Sequence, residues 1–326
     1  MPSEAGVAPS PKACTLNVPD FRFADGTALA NLHLSYWTMG TLAPGRDNAM
    51  LLCHGASGGK DWALPYCQPG GAFDPDRHFL ISIDMPGGGG SSRRGSDPAF
   101  PAEYAIGDMG TAVVALLDAL GIEQARGFAG ASMASLIGID LAYRYPDRIG
   151  ALALWTGAHR SDGFVRGVAD ALRGVLALDQ TPAGFRAAAA AFLPALYGRR
   201  TVAEMAAADV AALLDMIAAQ WAQSWRADEL SARYRAVGHC DLARVHGGID
   251  QLATGIRCPL LFLQSTSDQV FDLAEVERFV GQVPFATLKV IETGMGHLAP
   301  FAPPGSAEFT FFDQNTARFW QDTAPC

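Results

Sequence analysis

Charge is scarce in this chain. Only 17% of its 326 residues are Asp, Glu, Lys or Arg, against 49% that are hydrophobic. Intrinsic disorder needs the opposite balance, so a folded globular chain is expected. Basic residues are the scarcer sign, 24 against 33 acidic, for a net charge of −9 and a pI near 5.2. No basic block exceeds pairs such as Arg93-Arg94 and Arg199-Arg200, which read as solvated surface and exclude nucleic acid as an expected partner. The cysteines Cys14, Cys53, Cys67, Cys240, Cys258 and Cys326 form no C-x-x-C pair. They fit free thiols better than a zinc site or a disulfide framework. His33, His78, His159, His239 and His246 lack H-E-x-x-H or comparable spacing, so no metal and no resident cofactor are expected. No run reaches the roughly 18 apolar residues that a membrane span needs. The Ala-rich stretch at 187–192 is too short and is flanked by Arg186 and Pro194. The start, MPSEAGVAPSPKACT, lacks a charged segment followed by an apolar one, and the expected location is cytoplasmic.

What the chain does have is alternation. Residues 1–12 read as a flexible tail. After β-like runs up to about residue 42, short apolar runs at 50–53, 79–83, 126–129, 151–155, 259–263 and 287–291 alternate with amphipathic stretches such as 106–120 and 135–145. This is how a mostly parallel, doubly wound sheet covered by helices on both faces is written. Residues 157–248 break the alternation with an Ala-, Leu- and Arg-rich composition. They are expected to form an inserted helical cap on a core of 13–156 and 249–326. Trp155, Trp221 and Trp225 are candidates for substrate binding at the cap. Trp221 and Trp225, with Phe164, Phe185 and Phe192, fit equally well as the cap's own core.

The strongest local signal is Gly127-Phe128-Ala129-Gly130-Ala131-Ser132-Met133-Ala134-Ser135. An apolar run enters it and a periodic helix leaves it. The sharp strand-to-helix bend needs small residues two positions before and after Ser132, and it exposes the hydroxyl. The plainer alternative is an ordinary helix N-cap serine. Two later segments favour a nucleophile. Asp268 follows the strand-like run 260–264, and His297 lies in the Gly-rich loop after 288–291, so both fall at the sheet edge where Ser132 emerges. The chain order Ser132, Asp268, His297 suits nucleophile, orienting acid and general base. Upstream, Leu51-Leu52-Cys53-His54-Gly55-Ala56 ends a buried strand in a His-Gly turn. The N–H groups of Ala56 and Met133 are therefore expected to form an oxyanion hole, with His54 structural. The segment Asp84-Met85-Pro86-Gly87-Gly88-Gly89-Gly90-Ser91 lacks the G-K-[ST] ending of a phosphate loop and is read as a tight turn.

Together HGASGG, the D-x-x-G-x-G-x-S at 84–91, GASMA, the Tyr-Pro-Asp-Arg at 145–148 and the late STSDQVF and GMGHL resemble the α/β-hydrolase superfamily. More narrowly, with LSYWTMGTL, QPGGAFDPDRHFLIS and FPAEYAIGDM, they resemble the homoserine O-acetyltransferase group and its hydrolase relatives. The resemblance implies an α/β-hydrolase fold, Ser132 as nucleophile, His297 as base, Asp268 as its partner and main-chain donors at Ala56 and Met133. It departs after Ser-Met, where Ala134-Ser135 replaces the group's Gly-Gly. It departs again in the cap, where Arg160 and Arg166 are candidates only by proximity for an arginine that holds an amino-acid carboxylate. The expected activity is a serine hydrolase that cleaves a small or medium-sized carboxylic ester through an acyl-Ser132 intermediate. The alternative is an acyl-CoA-dependent O-acyltransferase of the homoserine O-acetyltransferase type, which differs only in the acceptor that attacks the acyl-enzyme. A small-molecule ester is the expected partner, and a homodimer is compatible with the sequence.

Overall fold

Four short strands carry almost only apolar side chains because both of their faces are covered. In the computed structural model, which describes residues 10–323, β3 (Ala49–Cys53), β5 (Gly127–Ala131), β6 (Leu152–Trp155) and β7 (Leu260–Ser265) are buried end to end. They join β1 (Lys12–Arg22), β2 (Ala28–Met39), β4 (Phe79–Ile83) and β8 (Ala286–Ile291) in an eight-stranded sheet of order β1-β2-β4-β3-β5-β6-β7-β8. β1 and β2 pair antiparallel, as do β2 and β4, and every later pair is parallel. The expected tail therefore ends early, because Lys12 already pairs with Thr38. The alternation of Cys14, Leu16 and Val18 with Thr15 and Asn17 suits a half-exposed edge strand. Residues 1–9 of that tail lie outside the described residues.

The two-residue period of a strand sorts its side chains. Leu51, Cys53, Phe128, Leu152, Leu154, Leu260 and Phe262 enter the core on one face. Met50, Leu52, Ala129, Ala131, Ala153, Trp155, Leu261 and Leu263 enter that on the other. The helices that complete these layers are α1 (Ile106–Ala119) and α2 (Met133–Arg144) on the first face. Between β6 and β7 run α3 (Gly163–Leu178), α4 (Pro182–Leu196), α5 (Arg199–Glu204), α6 (Ala207–Ser224), α7 (Ala227–Gly238), α8 (Leu242–Val245) and α9 (Ile249–Gly255). After β7 come α10 (Leu273–Val280) and, against the second face, α11 (Ala307–Asp322). The inserted helices have a core of their own, built from Leu172, Phe185, Leu193, Leu214, Trp221, Trp225 and Leu230. Among the described residues no helix is long and apolar enough to cross a membrane.

Candidate active site

The turn after β5 is shaped by what cannot fit there. A Cβ on Gly130 would stand 2.3 Å from that of Ala134 and 2.5 Å from the Cys53 carbonyl oxygen. Glycine at 130 is what allows alanine at 134, where the sequence pattern favours glycine. Ser132 itself has φ 59, a left-handed backbone rarely adopted by a serine. Its N–H donates to the Trp155 carbonyl at 2.9 Å, which anchors the bend to β6. Helix α2 starts at Met133, two residues earlier than its periodicity suggests, because the bend itself is the helix start. Ser135 fastens the first turn of α2, donating to the Ser132 carbonyl at 2.7 Å and accepting from the Ala158 N–H at 3.0 Å.

Ser132, Asp268 and His297 meet at the C-terminal edge of the sheet. His297 Nδ1 lies 3.0 Å from Asp268 Oδ2, and His297 Nε2 lies 2.9 Å from Ser132 Oγ. The other oxygen, Asp268 Oδ1, accepts from the Val270 and Phe271 N–H groups at 2.8 and 3.1 Å. This fixes the carboxylate, which keeps the imidazole proton on Nδ1 and leaves Nε2 free to accept from the hydroxyl. Both His297 and Asp268 are buried. The loops that carry them are tied together, since Ser267 Oγ donates to the Thr293 carbonyl and accepts from the Gly296 N–H. The inserted helices hold the same loop. Gly198 N–H and Thr201 Oγ donate to the Gly294 carbonyl at 3.0 and 2.8 Å.

The His-Gly turn after β3 lies alongside, with a Cβ at Gly55 falling 3.4 Å from Ser132 Cβ. His54 is buried. Its Nε2 accepts from the Met85 N–H at 3.0 Å, so Nδ1 carries the proton and donates to the Gly55 carbonyl at 2.6 Å. Burial, with the nearby Arg233 charge adding to it, pushes His54 down to about 4, so the ring is neutral and structural. The 84–91 turn is packed rather than open. Cβ atoms at Gly87 and Gly88 would strike Tyr104 and Trp225, and Asp84 accepts from the Gly90 and Lys60 N–H groups.

A cavity of about 430 Å³ opens over Ser132 and His297. Ala56, Trp62, Phe192, Leu213, Ile217, Trp221, Tyr234, Met295 and Phe301 line it, and among the described residues no Asp, Glu, Lys or Arg does. Of the tryptophans expected here, Trp221 is a lining residue. Trp155 is not. It points to the other face of the sheet, stacked on Phe73 with its indole N–H on Thr316 Oγ at 3.0 Å. The strand period requires this, because Ala153 and Trp155 share a face. Trp225 also stands off the cavity, over the Arg233 guanidinium. Arg160 pairs with Glu275 at 2.7 Å, and neither it nor Arg166 lines the cavity. The sequence reading missed Leu213, Ile217 and Tyr234. The i, i+4, i+8 row of Leu213, Ile217 and Trp221 on α6 was the available signal.

A family model of the alpha/beta hydrolase fold matches residues 48–303, and the chain belongs to that family. Within it, the chain is similar to the homoserine O-acetyltransferase of Nostoc punctiforme, at 27% identity over 53% of this chain and 52% of that protein. The chain spans about a third to a half of the length of the curated relatives it matches. Among solved structures, an acetylester hydrolase from Corynebacterium glutamicum aligns with a TM-score of 0.84 at 20% identity, covering 95% of this chain and 96% of that one. A homoserine O-acetyltransferase from Bacillus anthracis aligns with a TM-score of 0.81 at 16% identity, covering 97% and 99%. At these identities the structural likeness concerns the fold.

Proposed function

We propose that the protein is a serine ester hydrolase that cleaves uncharged carboxylic esters through an acyl-Ser132 intermediate. The observation that carries this reading is the Ser132–His297–Asp268 chain of hydrogen bonds opening on an apolar cavity without a charged wall residue. Ser132 Oγ attacks the ester carbonyl carbon while His297 Nε2 takes its proton, and Asp268 stabilises the imidazolium. The carbonyl oxygen becomes an oxyanion facing the N–H groups of Ala56 and Met133. Collapse of the tetrahedral adduct breaks the C–O bond. The alcohol leaves with the proton from His297, and a water activated by the same imidazole then releases the acid.

The second reading is O-acyl transfer to homoserine, favoured by similarity to the named acetyltransferases. A zwitterionic acceptor needs a counter-charge, and the cavity wall supplies none. Ser132→Ala is expected to lower kcat/KM for p-nitrophenyl acetate by roughly 10⁴-fold or more with the fold retained. Full activity in a folded Ser132→Ala protein would end this reading. Wild-type release of p-nitrophenol without homoserine supports hydrolysis, whereas CoA release from acetyl-CoA strictly dependent on homoserine would install the transferase in its place.

A further inference from the structure

We propose that Arg233, on α7 of the inserted helices, is a positioning residue for the oxyanion: its guanidinium grips the turn that carries the Ala56 N–H and holds that donor against Ser132. The proposal rests on the reading of Ser132 as nucleophile with donors at Ala56 and Met133. Arg233 is 0% exposed, and among the described residues no carboxylate pairs with it. Nε donates to Tyr104 Oη at 2.9 Å, and Nη2 donates to the Met85 and Pro86 carbonyls at 3.1 and 2.9 Å. Nη1 donates to the Ala56 carbonyl at 3.4 Å and lies 3.7 Å from Met133 Sδ. The Trp225 ring covers the group, its centroid 5.2 Å away.

A buried cation without an anion costs several kcal/mol unless dipoles replace its water, and an apolar side chain usually fills such a space at less cost. Here the dipoles come from Tyr104, from the 84–91 turn and from the His-Gly turn that lies beside Ser132. One nitrogen, Nη1, touches both residues whose N–H groups are assigned to the oxyanion. The geometry of the turn shows how the grip works. In a trans peptide the C=O and N–H point in opposite directions. His54 holds the Gly55 carbonyl from one side, which turns the N–H of the same peptide, that of Ala56, the other way. Arg233 fixes the following peptide through the Ala56 carbonyl, so the donor is clamped on both flanks. Such pre-set donors require no reorganisation when charge develops. The inserted helices thereby supply part of the catalytic framework as well as the cavity wall.

The test compares Arg233→Met and Arg233→Lys with wild type on p-nitrophenyl butyrate, with thermal unfolding as the fold control. Arg233→Met is expected to lose on the order of 10²-fold in kcat with KM nearly unchanged, the signature of a transition-state effect. Arg233→Lys keeps the charge but reaches fewer carbonyls, and recovers about tenfold of that loss. Affinity for a phenylboronic acid, which forms a tetrahedral anionic adduct on the serine, is expected to fall in parallel with kcat. A kcat loss below about tenfold in folded Arg233→Met, or a loss confined to KM, overturns the proposal. Should Arg233→Met fail to fold, Tyr104→Phe decides. It removes the Nε acceptor and is expected to lower kcat about threefold at constant KM, and an unchanged kcat there is equally fatal. Ser132→Ala runs alongside: its activity would defeat the functional reading, whereas Ser132-dependent hydrolysis untouched by these variants defeats Arg233 alone.

Discussion

Crowding around one glycine sets the geometry of the turn that carries Ser132. The space above Gly130 is filled by the Ala134 methyl and the Cys53 carbonyl, so the turn tolerates one methyl group and not two. Gly130→Ala is expected to destabilise the protein by about 1–3 kcal/mol, the usual cost of overpacking. Adding Ala134→Gly removes the methyl but leaves the carbonyl. Part of the loss should therefore return, and a double-mutant cycle in urea would show a coupling of about 1 kcal/mol. Additive effects would mean that the two positions do not compete for the same space. The pattern of small residues was readable in sequence, but the trade between 130 and 134 was not, because it depends on the approach of β3 from a distant part of the chain.

The elements differ in how openly they were written. β3, β5, β6 and β7 are continuous apolar runs, and the loops after β7 and β8 announce Asp268 and His297 by their place at strand ends. β1 was legible as a β-like run, and only its first residue, Lys12, was assigned to the tail. The inserted helices showed their type but not their orientation, which is why Trp225 was misplaced while Leu213 and Ile217 were overlooked. Trp155, by contrast, was misplaced because the face of β6 on which it lies was not read. Arg233 gave no signal at all, since a buried arginine and a surface one read alike. Helix α6 supplies a wall of the cavity through Leu213, Ile217 and Trp221. Ile217→Trp should narrow it, lowering kcat/KM for p-nitrophenyl octanoate by about tenfold or more while sparing the acetate ester, since lost pocket volume is worth about 1–3 kcal/mol per misfit group. Equal loss on both esters would place Ile217 outside the acyl path.

For the whole molecule, three buried histidines act together on stability. His54, His78 and His159 are each pushed down to about 4, in every case first by burial, with neighbouring arginines adding to it. Unfolding restores an ordinary imidazole that takes up a proton near pH 6.5. Between those values the unfolded chain binds more protons, so stability rises with pH and is lost as pH falls from about 6.5 towards 4. Each ring contributes roughly 1.4 kcal/mol per pH unit in that window. Urea midpoints should fall steeply between pH 6.5 and 5, and a flat profile would show that these rings are already charged in the folded protein.

The grip of Gly198 and Thr201 on the Gly294 carbonyl has a consequence for traffic through the molecule. Swinging the roof away on that side is expected to pull on the loop that carries His297 and so to disturb its contact with the Ser132 hydroxyl. Exchange of reactant and product is instead expected at the solvent-facing rim of the cavity, which the exposed side chains of Met216 and Phe301 mark.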